Sequence, residues 1–246
     1  MSANITEIAG DTYRISSFDP IKRMQFNEFL IVDDEPFLMH TGPAKLFAQT
    51  HEAVARIIGP DRLRWLGFSH YEADECGALN DWLRVAPRAE PVCSFVGAMV
   101  NMADVALRPA RAMQDGEVLS TGRHRLRFMA TPHVPHGWDA GLFFDEAQAT
   151  LLCSDLFFHP GDPEPLTESD ILGRARQAIQ HGLNGPLAND LPYTRQTRPI
   201  LERLASLEPR TLALMHGSSF QGNGREAIAG LAGVLHELLG ARGAAT

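Results

Sequence analysis

The chain has 246 residues, of which 44% are hydrophobic and 21% are charged, so it can bury a sizeable core and is not a disordered segment. Its formal net charge of −8, without a basic stripe, argues against nucleic acid or an anionic membrane surface as a partner. Three widely spaced cysteines do not form a disulfide framework. The sequence shows neither a signal peptide nor an apolar stretch of about 20 residues, which predicts a cytoplasmic protein.

The first half of the sequence predicts short strands and two helices. Its predicted strands are residues 12–15, 28–32, 35–40, 62–68 and 91–95, and its predicted helices are residues 45–58 and 77–85. In the first helix, Phe47, His51 and Val54 fall on one face, and Gly59-Pro60 ends the pattern. The strand 62–68 is apolar and leads directly into an acidic cluster.

The second half begins with strands and becomes mostly helical. Its predicted strands are residues 116–122, 125–132, 140–146, 149–155 and 211–216, and its predicted helices are residues 168–180, 197–207 and 225–239. The order of elements predicts an α/β or α+β protein with two packed sheets and helices outside. Because no repeat or interdomain linker interrupts it, we predict a single domain over residues 1–246.

Histidines and carboxylates follow four of the predicted strands. They are His70, Glu72, Asp74 and Glu75 after strand 62–68, His133 and His136 after strand 125–132, Asp155 at the end of strand 149–155, and His216 at the end of strand 211–216. Taken singly, each group is more typical of a solvated loop, a turn or a hydrogen-bonded structural histidine. Strand ends hold side chains rigidly, however, so four such ends could converge on one site.

The motifs HxExDE, HGWD, LLCSD and HG, in this order, resemble the metallo-β-lactamase superfamily. The acidic HxE variant is similar to the diiron domain of flavodiiron proteins. Within that group it resembles the type called oxygen-binding diiron proteins. This resemblance follows the order of elements along the whole chain, although only the residues around the motifs carry it. It implies a metallo-β-lactamase-like αβ/βα four-layer sandwich. Since the sequence stops soon after its last predicted helix, we expect neither a flavodoxin domain nor an FMN site.

The resemblance also implies two metal positions. His70, Glu72 and His136 would hold the first ion, Asp74 and His216 would hold the second, Asp155 would bridge them, and Glu75 stands where the family has a second-site histidine. His136 is preferred to His133 because it precedes Asp155 by 19 residues, and Asp155 precedes His216 by 61, which agrees with the family. His133, Tyr71 and His159 are candidates for positions beside the ligands, although a surface loop is the default expectation for His159.

The proposed ligand set contains three imidazoles and four carboxylates. Zinc sites prefer nitrogen and sulfur ligands, whereas carboxylates favour harder ions such as iron or manganese. The sequence therefore predicts two iron ions, with zinc or manganese as alternatives.

Three functions are compatible with such a site. The first is a stand-alone non-haem diiron oxidoreductase that binds and reduces O2 or NO with electrons from a separate protein. The second is a metal-dependent hydrolase with a bridging hydroxide, and the third is a non-catalytic O2 sensor. The carboxylates favour the first and third over the second. A homodimer is compatible with the sequence, but nothing in the sequence requires it.

Overall fold

The computed structural model describes residues 2–243, within which two seven-stranded sheets lie against each other. The first sheet contains β1 (Asn4–Ala9), β2 (Thr12–Asp19), β3 (Met24–Ile31), β4 (Phe37–Met39), β5 (Trp65–Gly67), β6 (Glu90–Ser94) and β7 (Arg111–Met113), adjacent in that order. β1 to β4 pair antiparallel, whereas β4 to β7 pair parallel. Parallel neighbours deliver their carboxyl ends to the same edge of the sheet.

The second sheet is built from the rest of the chain. It contains β8 (Val118–Ser120), β9 (Arg125–Ala130), β10 (Gly141–Asp145), β11 (Thr150–Ser154), β12 (Leu166–Thr167), β13 (Thr211–Leu214) and β14 (Ser219–Gln221), in the spatial order β12-β14-β13-β11-β10-β9-β8. β11 and β13 are parallel although a long helical segment separates them in sequence. This crossover brings the end of each strand to the same edge.

Helices cover the outer face of each sheet. The helices of the described residues are α1 (Phe47–Ala55), α2 (Ala73–Cys76), α3 (Leu79–Val85), α4 (Phe95–Gly97), α5 (Ala103–Val105), α6 (Ile171–Gly182), α7 (Thr197–Ala205) and α8 (Gly224–Gly243). α1 and α3 pack on the first sheet, and α6, α7 and α8 pack on the second. No helix among the described residues combines the length and apolar composition needed to cross a membrane.

Strand alternation explains the layers. Because successive side chains point to opposite faces, Leu30, Leu38 and Leu66 pack under the helices of the first sheet. Their neighbours Phe37 and Trp65 enter the core between the two sheets instead. The result is a helix–sheet–sheet–helix sandwich, which confirms the predicted α/β fold with two sheets and outer helices.

Several element boundaries differ from the sequence prediction. The predicted helix 45–58 begins with a 3-10 turn at Ala44–Leu46 and ends as α1 at Ala55. The predicted strand 35–40 stops at Met39, because His40 takes a left-handed backbone conformation with φ 62°. Strands β1, β7, β12 and β14 were not predicted. The last three have only two or three residues, too few to show alternation. The helical segment 95–105 was also missed.

Candidate metal centre

The acidic motif follows β5 and is partly helical. Glu72 keeps an extended backbone, and α2 starts at the next residue, because the Cys76 N–H donates to the Glu72 carbonyl at 3.0 Å. Asp74 and Glu75 therefore occupy the first turn of α2. Consecutive helical side chains diverge by about 100°, so these two carboxylates are directed to different parts of the site.

The second sheet supplies the remaining candidate ligands. In the parallel pair β11–β13, Ser154 is opposite Leu214, so Asp155 and His216 emerge side by side. His136 lies in the loop between β9 and β10. Gly137 follows it with φ 79°, and a Cβ there would lie 3.1 Å from the Cβ of His70. The missing side chain thus lets this loop approach the acidic motif of the first sheet.

One group of donor atoms defines a first candidate metal position. Single atoms of His70, Glu72 and His136 lie within 4.8 Å of one another. Nε2 of His70 is 3.2 Å from Glu72 Oε2, and Nε2 of His136 is 3.5 Å from the same oxygen. Asp155 Oδ2 completes this side of the site, at 3.0 Å from His136 Nε2 and 3.7 Å from His70 Nε2.

A second group defines an adjacent position. Single atoms of Asp74, Glu75 and His216 also lie within 4.8 Å of one another. Nε2 of His216 is 3.3 Å from Asp74 Oδ2 and 3.3 Å from Asp155 Oδ1. The two oxygens of Asp155 therefore face different histidines, His136 on one side and His216 on the other. This is the arrangement expected of a bridging carboxylate.

Each of the three histidines is held by its outward ring nitrogen. The contacts are His70 Nδ1 with Ser69 Oγ at 3.0 Å, His136 Nδ1 with Asp190 Oδ1 at 2.8 Å, and His216 Nδ1 with the Gln25 carbonyl oxygen at 2.8 Å. Metal-binding histidines typically donate their second N–H to such partners, which fixes the ring orientation. Nε2 of each imidazole is consequently left facing the shared space.

Glu75 provides a test of whether cations fit this site. Its side chain is buried, and neither carboxylate oxygen has a hydrogen-bond partner among the described residues. Burial, reinforced by the charges of Asp155 and Asp74, raises the pKa of Glu75 well above its usual value. A buried polar group without a partner is costly, and a metal ion would supply the missing interaction. The residues present therefore fit a metal centre.

When no cation is bound, protons on two histidines partly balance the charges of the carboxylates. Burial opposes protonation of His136, but the Asp155 and Asp190 carboxylates outweigh it and raise its pKa to about 10. The pKa of His216 is also raised to about 10, because the Asp155 and Asp74 carboxylates outweigh the effect of burial. Burial would raise the pKa of Asp155, yet these imidazoles hold it well below its usual value. Metal binding must therefore release protons, and its affinity should fall as the pH falls.

Ser69 connects the two ligand-bearing sheets and was not identified from the sequence. Its hydroxyl lies 3.1 Å from His40 Nε2, 3.0 Å from His70 Nδ1 and 2.7 Å from Ser154 Oγ. A hydroxyl has one hydrogen and two lone pairs, so these three partners saturate it. Burial lowers the pKa of His40 to about 3, so this imidazole stays neutral at pH 7. Ser69 thereby fixes the His70 ring relative to the Asp155 loop.

Replacing Ser69 by alanine should weaken metal binding about 10- to 100-fold, because the orientation of His70 would no longer be fixed. The unfolding free energy should also fall by about 1–3 kcal/mol, since His40 Nε2 would be buried without a partner. Competition with a chelator and urea unfolding measure the two effects. Ser120→Ala, at an exposed position, is the control. Equal metal affinity in the two variants would contradict this role of Ser69.

The three residues predicted beside the ligands have different positions. Tyr71 is 46% exposed and contributes its backbone N–H to Asp139 Oδ2 at 3.1 Å. His133 is exposed and lines the cavity in front of the site. His159 is buried, contrary to the default expectation of a surface loop. It contacts the Phe157 carbonyl through Nδ1 and accepts the Ser218 N–H at Nε2, which supports the turn after His216.

Known proteins resemble this chain in sequence and in fold. The family described as ODP family beta lactamase matches residues 24–217. The putative diflavin flavoprotein A 1 of Thermosynechococcus vestitus is 31% identical over 198 residues, covering 78% of this chain and 33% of that protein. The rubredoxin-oxygen oxidoreductase of Megalodesulfovibrio gigas is 24% identical over 202 residues, covering 80% of this chain and 49% of that protein.

Among solved structures, a metal-soaked flavodiiron core from Synechocystis matches with a TM-score of 0.80 at 23% identity, covering 96% of this chain and 61% of that one. The chain thus spans about a third of the diflavin flavoprotein and about half of the oxidoreductase. The structural match confirms the metallo-β-lactamase-like fold of flavodiiron cores. Together with the family match over most of its length, this shows that the chain belongs to the ODP family of beta-lactamase domains.

Proposed function

We propose that this chain holds two iron ions and binds and reduces O2 or NO with electrons from a separate protein. The observation that supports this proposal best is the donor set, in which four carboxylates and three imidazoles surround one space. Two divalent cations would balance the four carboxylate charges. Zinc sites favour nitrogen and sulfur donors, whereas oxygen-rich sets suit harder metals.

The proposed ligands are divided between two positions. His70, Glu72 and His136 would hold the first ion, Asp74, Glu75 and His216 would hold the second, and Asp155 would bridge them. Glu75 takes the place of a histidine in the family pattern, and its buried, unpartnered oxygens favour coordination. All seven ligands belong to one chain, so the centre does not depend on a homodimer.

When bound, a diiron centre supplies a place for a diatomic molecule and the electrons to reduce it. The protein contributes orientation and exclusion of water. Phe26 and Phe158 contact the His216 ring edge-on, with ring centroids at 5.3 and 5.5 Å. These phenyl rings keep water from one side of the site. The four carboxylates would favour the more highly charged ferric form of bound iron, and so would make it a better electron donor.

The name of the oxidoreductase relative pairs rubredoxin with oxygen, which supports both the O2 chemistry and a small redox protein as donor. The proposal also includes two earlier expectations: residues 1–246 form a single domain, and the protein is located in the cytoplasm. A thiol nucleophile fits less well, because burial raises the pKa of the nearby Cys76 to about 12.

The test is metal analysis of protein expressed with iron and zinc both available and purified without oxygen. About two irons per chain, as dinuclear sites require, are expected, followed by O2 or NO consumption when a chemical reductant is supplied. Glu72→His should lower iron retention and raise zinc retention, because it replaces an oxygen donor by nitrogen. Glu168→His, at an exposed position outside the donor set, is the control.

Other outcomes would support the other functions. Two zincs, with cleavage of a thioester, lactone or phosphodiester in the absence of a reductant, would replace the proposal by a hydrolase. Reversible O2 binding without turnover, whichever electron donor is supplied, would indicate a sensor. Unchanged metal preference in Glu72→His would contradict the argument from the donor set.

A further inference from the structure

A cavity of about 320 Å³ is lined in part by residues of the candidate metal centre. One water molecule needs about 10–15 Å³ of such space, so the cavity greatly exceeds what a diatomic molecule needs. It falls instead at the lower end of the range for small organic ligands, roughly 300–1,000 Å³. The size of the cavity therefore points to a larger occupant than O2 or NO.

The candidate ligands form one polar region of the cavity wall. Those that line the cavity are Glu72, Asp74, His136, Asp155 and His216. The rest of the wall is mainly apolar, with Phe157, Ile179 and Leu183 among its residues. A ligand that satisfies both parts has one oxygen-donor head, directed to the metal ions, and an apolar remainder.

The apolar residues that α8 contributes to the wall favour a linear apolar tail over a compact ring. Leu231, Leu235 and Leu239 all line the cavity and follow each other at four-residue intervals on α8. At 1.5 Å per residue they extend the apolar wall for about 12 Å along one helix face. On α6, Ala178 and Gly182 also line the cavity at a four-residue interval. Because these side chains are small, they leave room for a tail beside α6.

We propose that the cavity binds a straight-chain aliphatic carboxylate of about ten carbon atoms, with its carboxylate at the metal ions. The chain length follows from the leucine wall of α8, which is about 12 Å long and matches an extended chain of about ten carbon atoms. The head group, though not the tail, rests on the proposed metal centre. Without cations, the acidic end repels a carboxylate but accepts a neutral alcohol.

The first experiment is calorimetric titration of the metal-loaded chain with carboxylates from hexanoate to tetradecanoate, and of the metal-free chain with the matching alcohols. Each buried methylene should strengthen binding about fourfold, which corresponds to about 0.8 kcal/mol. The gain should stop near ten carbons. Affinity that does not depend on chain length in either series would overturn the proposal. If the alcohols bind but the carboxylates do not bind to the metal-treated chain, the cavity is a binding site for apolar tails and the proposed metal centre is wrong.

Variants of α6 test the location. Ala178→Phe should shorten the optimal carboxylate, because it fills the cavity, and Ile179→Ala should lengthen it. Gln177→Phe, at an exposed position of the same helix, should leave the optimum unchanged. Because the readout is a shift of optimum in opposite directions, loss of folding in one variant leaves the other decisive. An optimum unchanged in the folded cavity variants means that the ligand binds elsewhere.

Discussion

Asp155→Asn is expected to reduce the bound metal from about two ions per chain to less than one. Asp155 approaches the Nε2 atoms of all three histidines, at 3.0 Å for His136, 3.3 Å for His216 and 3.7 Å for His70. Asparagine keeps the shape but loses the charge, and it replaces one oxygen by an amide nitrogen that cannot bind a cation. Both metal positions should be weakened together. Metal content and chelator competition measure this loss.

Asp190→Asn is the matched control, because it removes a carboxylate from the opposite side of the same ring. Asp190 Oδ1 lies 2.8 Å from His136 Nδ1, outside the shared space. Loss of such a supporting contact typically lowers metal affinity by about 10- to 100-fold. The Asp155 variant should lose more than this, and at both positions. If the two variants lost metal equally, Asp155 would be a supporting residue and not a ligand.

Glu28→Gln is expected to stabilise the protein at alkaline pH. The Glu28 carboxyl is buried on β3 against Gly42, and neither oxygen has a hydrogen-bond partner among the described residues. Burial raises its pKa from 4.5 to about 8, and the positive charge of Arg14 opposes this only in part. Since the folded state holds the proton more tightly than the unfolded state, folding stability falls as the pH rises from 4.5 through 8.

The size of this effect is several kcal/mol, because each pKa unit corresponds to about 1.4 kcal/mol. Glutamine resembles the protonated carboxyl and does not titrate. Urea unfolding should therefore give similar stabilities for both proteins at pH 5, and a clear advantage for the variant at pH 9. Glu168→Gln, at an exposed position, should change neither value. An unaltered pH dependence in Glu28→Gln would show that this carboxyl is not buried in solution.

The features that could be predicted from the sequence are those that local patterns encode. Alternation of apolar residues predicted most strands, and the chemistry at four strand ends placed His70, Glu72, Asp155 and His216 in one region. The spacing to Asp155 favoured His136 over His133 as a ligand. In the structure His136 lies in the donor set, whereas His133 is exposed.

The residues that the sequence did not predict depend on distant contacts. Ser69 and Ser154 meet although 85 residues separate them. Asp190 lies in a turn-rich segment that gives no signal of its contact with His136. Glu28 occurs in an ordinary strand pattern, where a carboxylate usually faces water, so its burial becomes visible only when both sheets and α1 are in place.

The division of the donor set between the two sheets also bears on the order of folding. His70 and its acidic neighbours follow β5 of the first sheet, whereas His136, Asp155 and His216 come from the second. Each proposed metal position, with the Asp155 bridge included, takes ligands from both sheets. Neither half of the chain therefore contains a complete position. A tightly held ion would therefore join only after the sheets have docked, which would make metal capture a late step of folding. Once bound, the ions would oppose separation of the two halves at this edge.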